Sequence, residues 1–201
     1  MHKQDLSAST TESSLPSTTD LAAIWNEVPT ERLILRRLRP TDGPAMFAVH
    51  GDPETYHYSP ATPHHDVATS EEMLRSCLHE WETYGLGYWA VTLARGAEEN
   101  IIGFGGVEHR VWRERDILNL YYRFTPRAWG QGYATEIARM AVSLAQTYLP
   151  QWPIVARTRA NNLPSIRTAE RAGLLRRPDL DTEHVIFALG WVPPGDPGVS
   201  L

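Results

Sequence analysis

The chain has 201 residues, 42% of them hydrophobic and 21% charged, which supports a packed core and excludes disorder throughout. A formal net charge of −5 disfavours nucleic acid as a partner. Cys77 is the single cysteine, so an intramolecular disulfide and a thiolate-rich zinc site are excluded, and a reducing, cytoplasmic setting is the expectation.

The first residues, MHKQDLSASTTESS, lack the apolar stretch of a secretory signal. No run of about 20 apolar residues occurs, so no membrane partner is expected. The Ser/Thr-rich start reads as a tail, and the expected division is a disordered segment over residues 1–27, a single domain over 28–192 and a flexible end over 193–201.

Leu33 to Leu38 alternates as a strand. Pro40-Thr41-Asp42 opens a helix containing Ala45, Met46, Phe47 and Val49, and Ser70-Glu71-Glu72 opens a second with Met73, Leu74, Cys77, Leu78 and Trp81 at helical spacing. Three strands are predicted next, over Tyr88 to Leu93, Ile101 to Glu108 and Ile117 to Phe124, close enough together for an antiparallel meander. A helix from about Gly132 to Tyr148 carries Ala134, Ile137, Ala138, Ala141, Val142 and Ala145 on one stripe. Ile154 to Thr158 is a strand, Pro164 to Ala172 a short helix closed by Gly173, and His184 to Leu189 the last strand. The order implies an α/β fold, a mixed sheet with helices on both faces.

The segment Phe124-Thr125-Pro126-Arg127-Ala128-Trp129-Gly130-Gln131-Gly132-Tyr133-Ala134 joins a strand to a helix through two glycines. Glycine allows positive φ and close backbone approach, and outward amides at a helix N-terminus attract a phosphate or pyrophosphate. Arg127 can add a charge-assisted hydrogen bond. An ordinary strand-to-helix turn matches two glycines equally well. Neither a Walker A loop nor a G-x-G-x-x-G fingerprint is present.

Taken whole, the segment resembles the acetyl-CoA signature R/Q-x-x-G-x-G/A of the GCN5-related N-acetyltransferases (GNAT), matched here by Arg127-x-x-Gly130-x-Gly132, with Tyr122, Pro126, Gln131, Tyr133 and Ala134 on its flanks. A second stretch, Asn162-Leu163-Pro164-Ser165 followed by Ala169-Glu170 and Gly173, is similar to the family's N-x-P-S-x-x-x-A-E-x-x-G. The opening Glu31-Arg32-Leu33-Ile34-Leu35-Arg36 resembles the branch that includes the ribosomal-protein N-terminal acetyltransferases. The resemblance runs from about Thr30 to Leu189. It implies a mixed, centrally splayed sheet, with the pantetheine arm of acetyl-CoA between two parting parallel strands. By the same resemblance, Tyr122, Arg123 and Phe124 meet that arm, Arg127, Trp129, Gly130, Gln131, Gly132 and Tyr133 surround the pyrophosphate, and Asn162 and Ser165 sit near the thioester.

The implied reaction is attack of a neutral amine on a thioester, which needs a proton acceptor, oxyanion donors and a proton for the leaving thiolate. Ser165 is the candidate donor, although a first-turn serine commonly bonds locally; Asn162 reads more readily as a helix cap than as a ligand. The Tyr that many relatives carry after the motif glycine is absent, the residues here being Leu174 and Leu175. Glu183 and His184 before the last strand are the first candidates for the base, with Glu108 and His109 also considered; Asn119 stands where the branch often has Glu. A water relay is a further option. His57, His64 and His65 share one loop without metal-ligand spacing, so no metal is expected. Tyr56, Tyr58 and Trp112 are candidates for an acceptor pocket, whereas Trp81 and Trp89 read as core. The expectation is an N-acetyltransferase moving an acetyl group to a primary amine of a protein N-terminus or small molecule; the alternative is a CoA-binding regulatory domain with impaired catalysis. A homodimer is left open.

Overall fold

The computed structural model describes residues 15–59, 61–95 and 100–192. Its centre is one sheet of eight strands in the order β1-β2-β3-β4-β5-β6-β8-β7. They are β1 (Glu27–Pro29), β2 (Leu33–Arg37), β3 (Tyr88–Leu93), β4 (Gly103–Trp112), β5 (Arg115–Phe124), β6 (Ile154–Thr158), β7 (Leu175–Arg176) and β8 (Val185–Leu189). Every neighbouring pair is antiparallel except β5 and β6. That parallel pair is short: Leu118 faces Ile154 and Asn119 faces Val155. β5 then continues to Phe124 without a β6 partner, so the two strands part and leave a gap in the middle of the sheet.

Five α-helices accompany the sheet: α1 (Thr18–Trp25), α2 (Gly43–His50), α3 (Val67–Tyr84), α4 (Tyr133–Tyr148) and α5 (Leu163–Arg171). The period of two along the strands divides the core between the faces. Leu33, Leu35, Trp89, Val91, Leu118 and Leu120 pack with Ile137, Ala138, Ala141, Val142 and Ala145 of α4. Tyr88, Ala90 and Phe104 pack with Met46 and Val49 of α2 and Leu74 and Cys77 of α3.

The expected tail over residues 1–27 is corrected from residue 15 onward; residues 1–14 and the predicted flexible end over 193–201 lie outside the described residues. Ser17 and Asp20 form a reciprocal capping box at the start of α1. Leu21 and Trp25 are buried, and Trp25 stacks on Trp89 at 6.4 Å and meets Tyr148 edge-on at 6.1 Å. Ser/Thr density concealed a cap, and one apolar face of eight residues is enough to hold the helix down. β1 and β7, three and two residues long, are too short to show an alternation in the sequence. α3 begins at Val67, earlier than predicted, because Asp66 caps it by accepting the Thr69 N–H at 2.8 Å. β4 and β5 extend past the predicted ends to a tight turn in which Arg113 and Glu114 take φ of 50° and 61° without a glycine to advertise it.

Candidate active site

β5 ends at Phe124, and the chain passes through a single 3-10 turn, Pro126–Ala128, before entering α4. Gly130 and Gly132 adopt φ of 75° and 80°, in the left-handed region that side chains resist. A Cβ on Gly130 would meet no protein atom within 4 Å, so the backbone there faces open space. Gly132 caps α4, and its carbonyl accepts the amides of Thr135 and Glu136 at 3.1 Å each. The first amides of an α-helix have no acceptor inside it, so those at Tyr133 and Ala134 are available to an anion. Arg127 is exposed beside them. Trp129, 47% exposed, donates its indole N–H to the Phe124 carbonyl at 2.9 Å, which makes that carbonyl part of the loop's own scaffold.

Arg32, at the entrance to β2, fixes this loop from outside. Its guanidinium donates to the Gln131 carbonyl at 2.8 Å, pairs with Glu136 at 2.7 Å and lies 4.9 Å from the Tyr133 ring centroid. Glu136 also accepts from the Thr30 hydroxyl at 2.6 Å and the Arg32 amide at 2.9 Å. Partial burial opposes its ionisation, but the bonds from Thr30 and Arg32 outweigh that and hold its carboxyl below the usual range. The Arg32 contact spans a long stretch of chain, so motif spacing alone could not single it out.

Where β5 leaves β6, Tyr122 turns towards α5. Its hydroxyl lies 3.0 Å from both the Ser165 hydroxyl and the Ser165 carbonyl, and burial pushes its phenol up to about 12. One hydroxyl donates to the other, so Ser165 belongs to a pair. Asn162 caps α5, its Oδ1 accepting the Ser165 amide at 3.1 Å. Arg123 points to the opposite face, where it donates to Tyr121 and to the Thr55 carbonyl at 2.9 Å each and lies 3.9 Å from the Tyr56 ring centroid. Glu183 lies outside this group: its side chain is 68% exposed, 3.2 Å from Arg159 and 3.7 Å from His184. Leu174 is buried in the core and Leu175 is exposed.

The same face as Arg123 holds a second polar cluster. His50 is buried between the Met46 carbonyl at Nδ1, 3.0 Å, and the Tyr121 hydroxyl at Nε2, 2.9 Å. Burial and then the Arg123 charge lower its pKa to about 3, so it is neutral, with Nδ1 donating to the carbonyl and Nε2 accepting. His64 stacks on it at 5.1 Å and bonds Ser70 at 2.8 Å. Nearby, Asn119 donates to the Tyr88 hydroxyl at 2.7 Å, and Glu108 pairs with Arg110 at 2.6 Å. Trp112 packs on Trp191 at 5.2 Å, away from Tyr56. Among the described residues no three His, Cys, Asp or Glu side chains are grouped as metal ligands, and no helix is long and apolar enough to cross a membrane.

A strand, a two-glycine turn, a helix N-terminus and a parted parallel pair adjoin one another along β5. The family model for the acetyltransferase (GNAT) domain matches residues 32–175. The chain belongs to the GNAT acetyltransferase family. As a GNAT protein it is an N-acetyltransferase, and its eight-stranded mixed sheet is the GNAT fold. It is 26% identical over 152 residues to the uncharacterized N-acetyltransferase p20 of Bacillus licheniformis, covering 73% of this chain and 84% of that one. An acetyltransferase structure from Agrobacterium tumefaciens str. C58 superposes with a TM-score of 0.68 at 25% identity, covering 81% and 93% of the two chains. The fold is also that of RimL, a ribosomal L7/L12 alpha-N-protein acetyltransferase solved in complex with coenzyme A, at a TM-score of 0.63 and 13% identity, covering 81% of this chain and 97% of that one.

Proposed function

We propose that this GNAT enzyme transfers the acetyl group of acetyl-CoA directly to a primary amine, on a protein N-terminus or a small molecule. The observation that carries the reading is the turn between β5 and α4, in which Gly130 and Gly132 both take positive φ and the Gly130 backbone faces open space. The donor set there suits the cofactor: amides at the start of α4 and the exposed Arg127 for the pyrophosphate, the free edge of β5 over 120–124 for the pantetheine arm, and hydroxyls at the narrow end. When bound, acetyl-CoA supplies an activated acyl group on a thiol leaving group.

The chain's residues would then do three things. The loop holds the phosphates and, with the strand edge, fixes the thioester, so that much of the rate comes from positioning. The Ser165–Tyr122 hydroxyl pair gives a proton to the departing thiolate. The opposite face, with Tyr121, Tyr88 and Asn119, receives the amine. Glu183 and His184 are less suited to remove its proton, since Glu183 is committed to Arg159 in solvent. RimL is a ribosomal L7/L12 alpha-N-protein acetyltransferase; its likeness in fold keeps such an acceptor in the first rank here.

Acetyl-CoA should bind the full chain and raise its melting temperature by mass action. Thiol release should then follow with at least one of an Ala- or Ser-terminated peptide, spermidine or an aminoglycoside. Tight acetyl-CoA binding with no thiol release from any amine would instead describe a CoA-binding regulatory domain.

A further inference from the structure

Tyr121 and Arg123 share one face of β5, and Tyr122 and Phe124 share the other. The β6 pairing stops at Asn119, so Arg123 borders the gap on the side opposite the Tyr122–Ser165 pair. Its guanidinium is half-buried and held by the protein in a fixed plane. Nε donates to the Tyr121 hydroxyl at 2.9 Å, and Nη1 donates to the Thr55 carbonyl at 2.9 Å and the Thr55 hydroxyl at 3.2 Å. The Tyr56 ring centroid lies 3.9 Å from the guanidinium carbon.

None of these partners carries a negative charge. Tyr121 donates its own proton to neutral His50 at 2.9 Å, and burial pushes its phenol up to about 12, so no phenolate balances the cation. Burial and then the Arg123 charge keep both His50 and His64 from protonating, so the positive field on this face is felt by its neighbours and not cancelled by them. Among the described residues no carboxylate pairs with Arg123, whereas Arg36 on β2 pairs with Asp42 at 2.8 Å and Arg110 on β4 with Glu108 at 2.6 Å. Nη2 is bonded to no described residue and is not closed off from solvent. A half-buried cation with only neutral partners is costly to keep, and a donor left open beside the gap suits an anion.

Building on the acetyl-transfer reading, we propose that Arg123 selects the acceptor by taking a carboxylate of the incoming amine on Nη2, so that the substrate class is amines bearing an acid group, whether a free amino acid or a protein N-terminus with an acidic residue beside it. Nε and Nη1 are engaged before the acceptor arrives, so little side-chain freedom is lost on binding. The same charge repels polyamines and aminoglycosides, which carry several ammonium groups.

The test measures thiol release from acetyl-CoA by the full chain with two matched pairs of acceptors and with spermidine. The pairs are amidated Ala-Glu against amidated Ala-Gln, for a protein N-terminus, and alanine against alaninamide, for a free amino acid, each rate referred to the unprotonated amine present. In at least one pair the acid should exceed its amide by about 10- to 100-fold in kcat/KM, chiefly through KM, and should exceed spermidine. Arg123→Gln should bring that ratio to about one, whatever its overall rate. A residue that merely clamped the loop to β5 would slow acid and amide alike and leave the ratio standing. A wild-type ratio near one in both pairs overturns the proposal without any variant having to fold, as does a preference for spermidine or a ratio that persists in Arg123→Gln. A wild-type chain that binds acetyl-CoA yet releases thiol with none of these amines overturns the acetyl-transfer reading itself.

Discussion

Two clusters flank β5, and they are assembled in opposite ways. The turn from Thr125 to Gly132 is contiguous chain: a proline-started 3-10 turn, two positive-φ glycines and the α4 N-terminus follow one another directly. The Tyr88–Glu108–Asn119 cluster draws one residue from each of three strands and depends on their register. A one-residue slip of β4 would turn Glu108 to the other face of the sheet and dissolve the cluster. The turn would survive such a slip. The turn therefore rests on local chain geometry, whereas the three-strand cluster rests on the integrity of the whole sheet.

The sharpest way to break the second cluster without touching the first is to loosen the sheet edge that supports it. Trp25 from α1 is fully buried against Trp89, and the Trp89 indole donates to the Trp25 carbonyl at 2.7 Å. Trp25→Ala should cost ~3–5 kcal/mol of stability, measured by denaturant unfolding. Trp25→Phe should cost clearly less, because the Trp25 indole N–H is itself buried without a partner. A cost under about 1 kcal/mol for Trp25→Ala would mean that α1 is an ornament on the edge.

The same division explains what was legible in the sequence. The Gly130–Gly132 turn, α4 and the Asn162 cap could be placed because their signals lie within a few residues of one another. Glu108 could be noticed only as a strand-end residue, since its burial, its Arg110 partner and its position across from Asn119 are properties of pairing. Glu183, which the sequence ranks ahead of it, proves to be solvated. α1 is hidden because Ser17 and Asp20 sit in a run of Ser and Thr that reads as tail, although Leu21 and Trp25 carry the i, i+4 spacing of a packed face.

A smaller effect is expected at the Tyr122–Ser165 hydroxyl pair. Ser165→Ala removes one hydroxyl, yet the Tyr122 hydroxyl keeps the Ser165 carbonyl at 3.0 Å as its acceptor. Stability should fall by at most about 1 kcal/mol. If the hydroxyl pair protonates the thiolate, kcat should drop about 10²-fold with acetyl-CoA affinity nearly unchanged. Near-normal turnover would leave Tyr122 alone as the donor, and Tyr122→Phe would then show the loss.

The smallest expected effect tests whether the turn is as self-sufficient as its contiguity suggests. Arg32 lies outside the turn, yet it grips Gln131, Tyr133 and Glu136 together. The pair with Glu136 is half exposed on the arginine side, so as an ion pair it should be worth little and be screened by salt. The bond to the Gln131 carbonyl is different, because it fixes the peptide between the two glycines of the turn proposed to hold the phosphates. Arg32→Ala should therefore weaken acetyl-CoA binding by about 3- to 10-fold by calorimetry while lowering stability by under about 1 kcal/mol. Arg32→Lys should recover little of the affinity, since an ammonium cannot hold Glu136 bidentately and reach Gln131 as well. Glu136→Gln should reproduce part of the loss by weakening one of the guanidinium's three contacts. Unchanged affinity in Arg32→Ala would show that two glycines and a helix N-terminus hold the phosphates unaided, and that Arg32 serves only to tie β2 to α4.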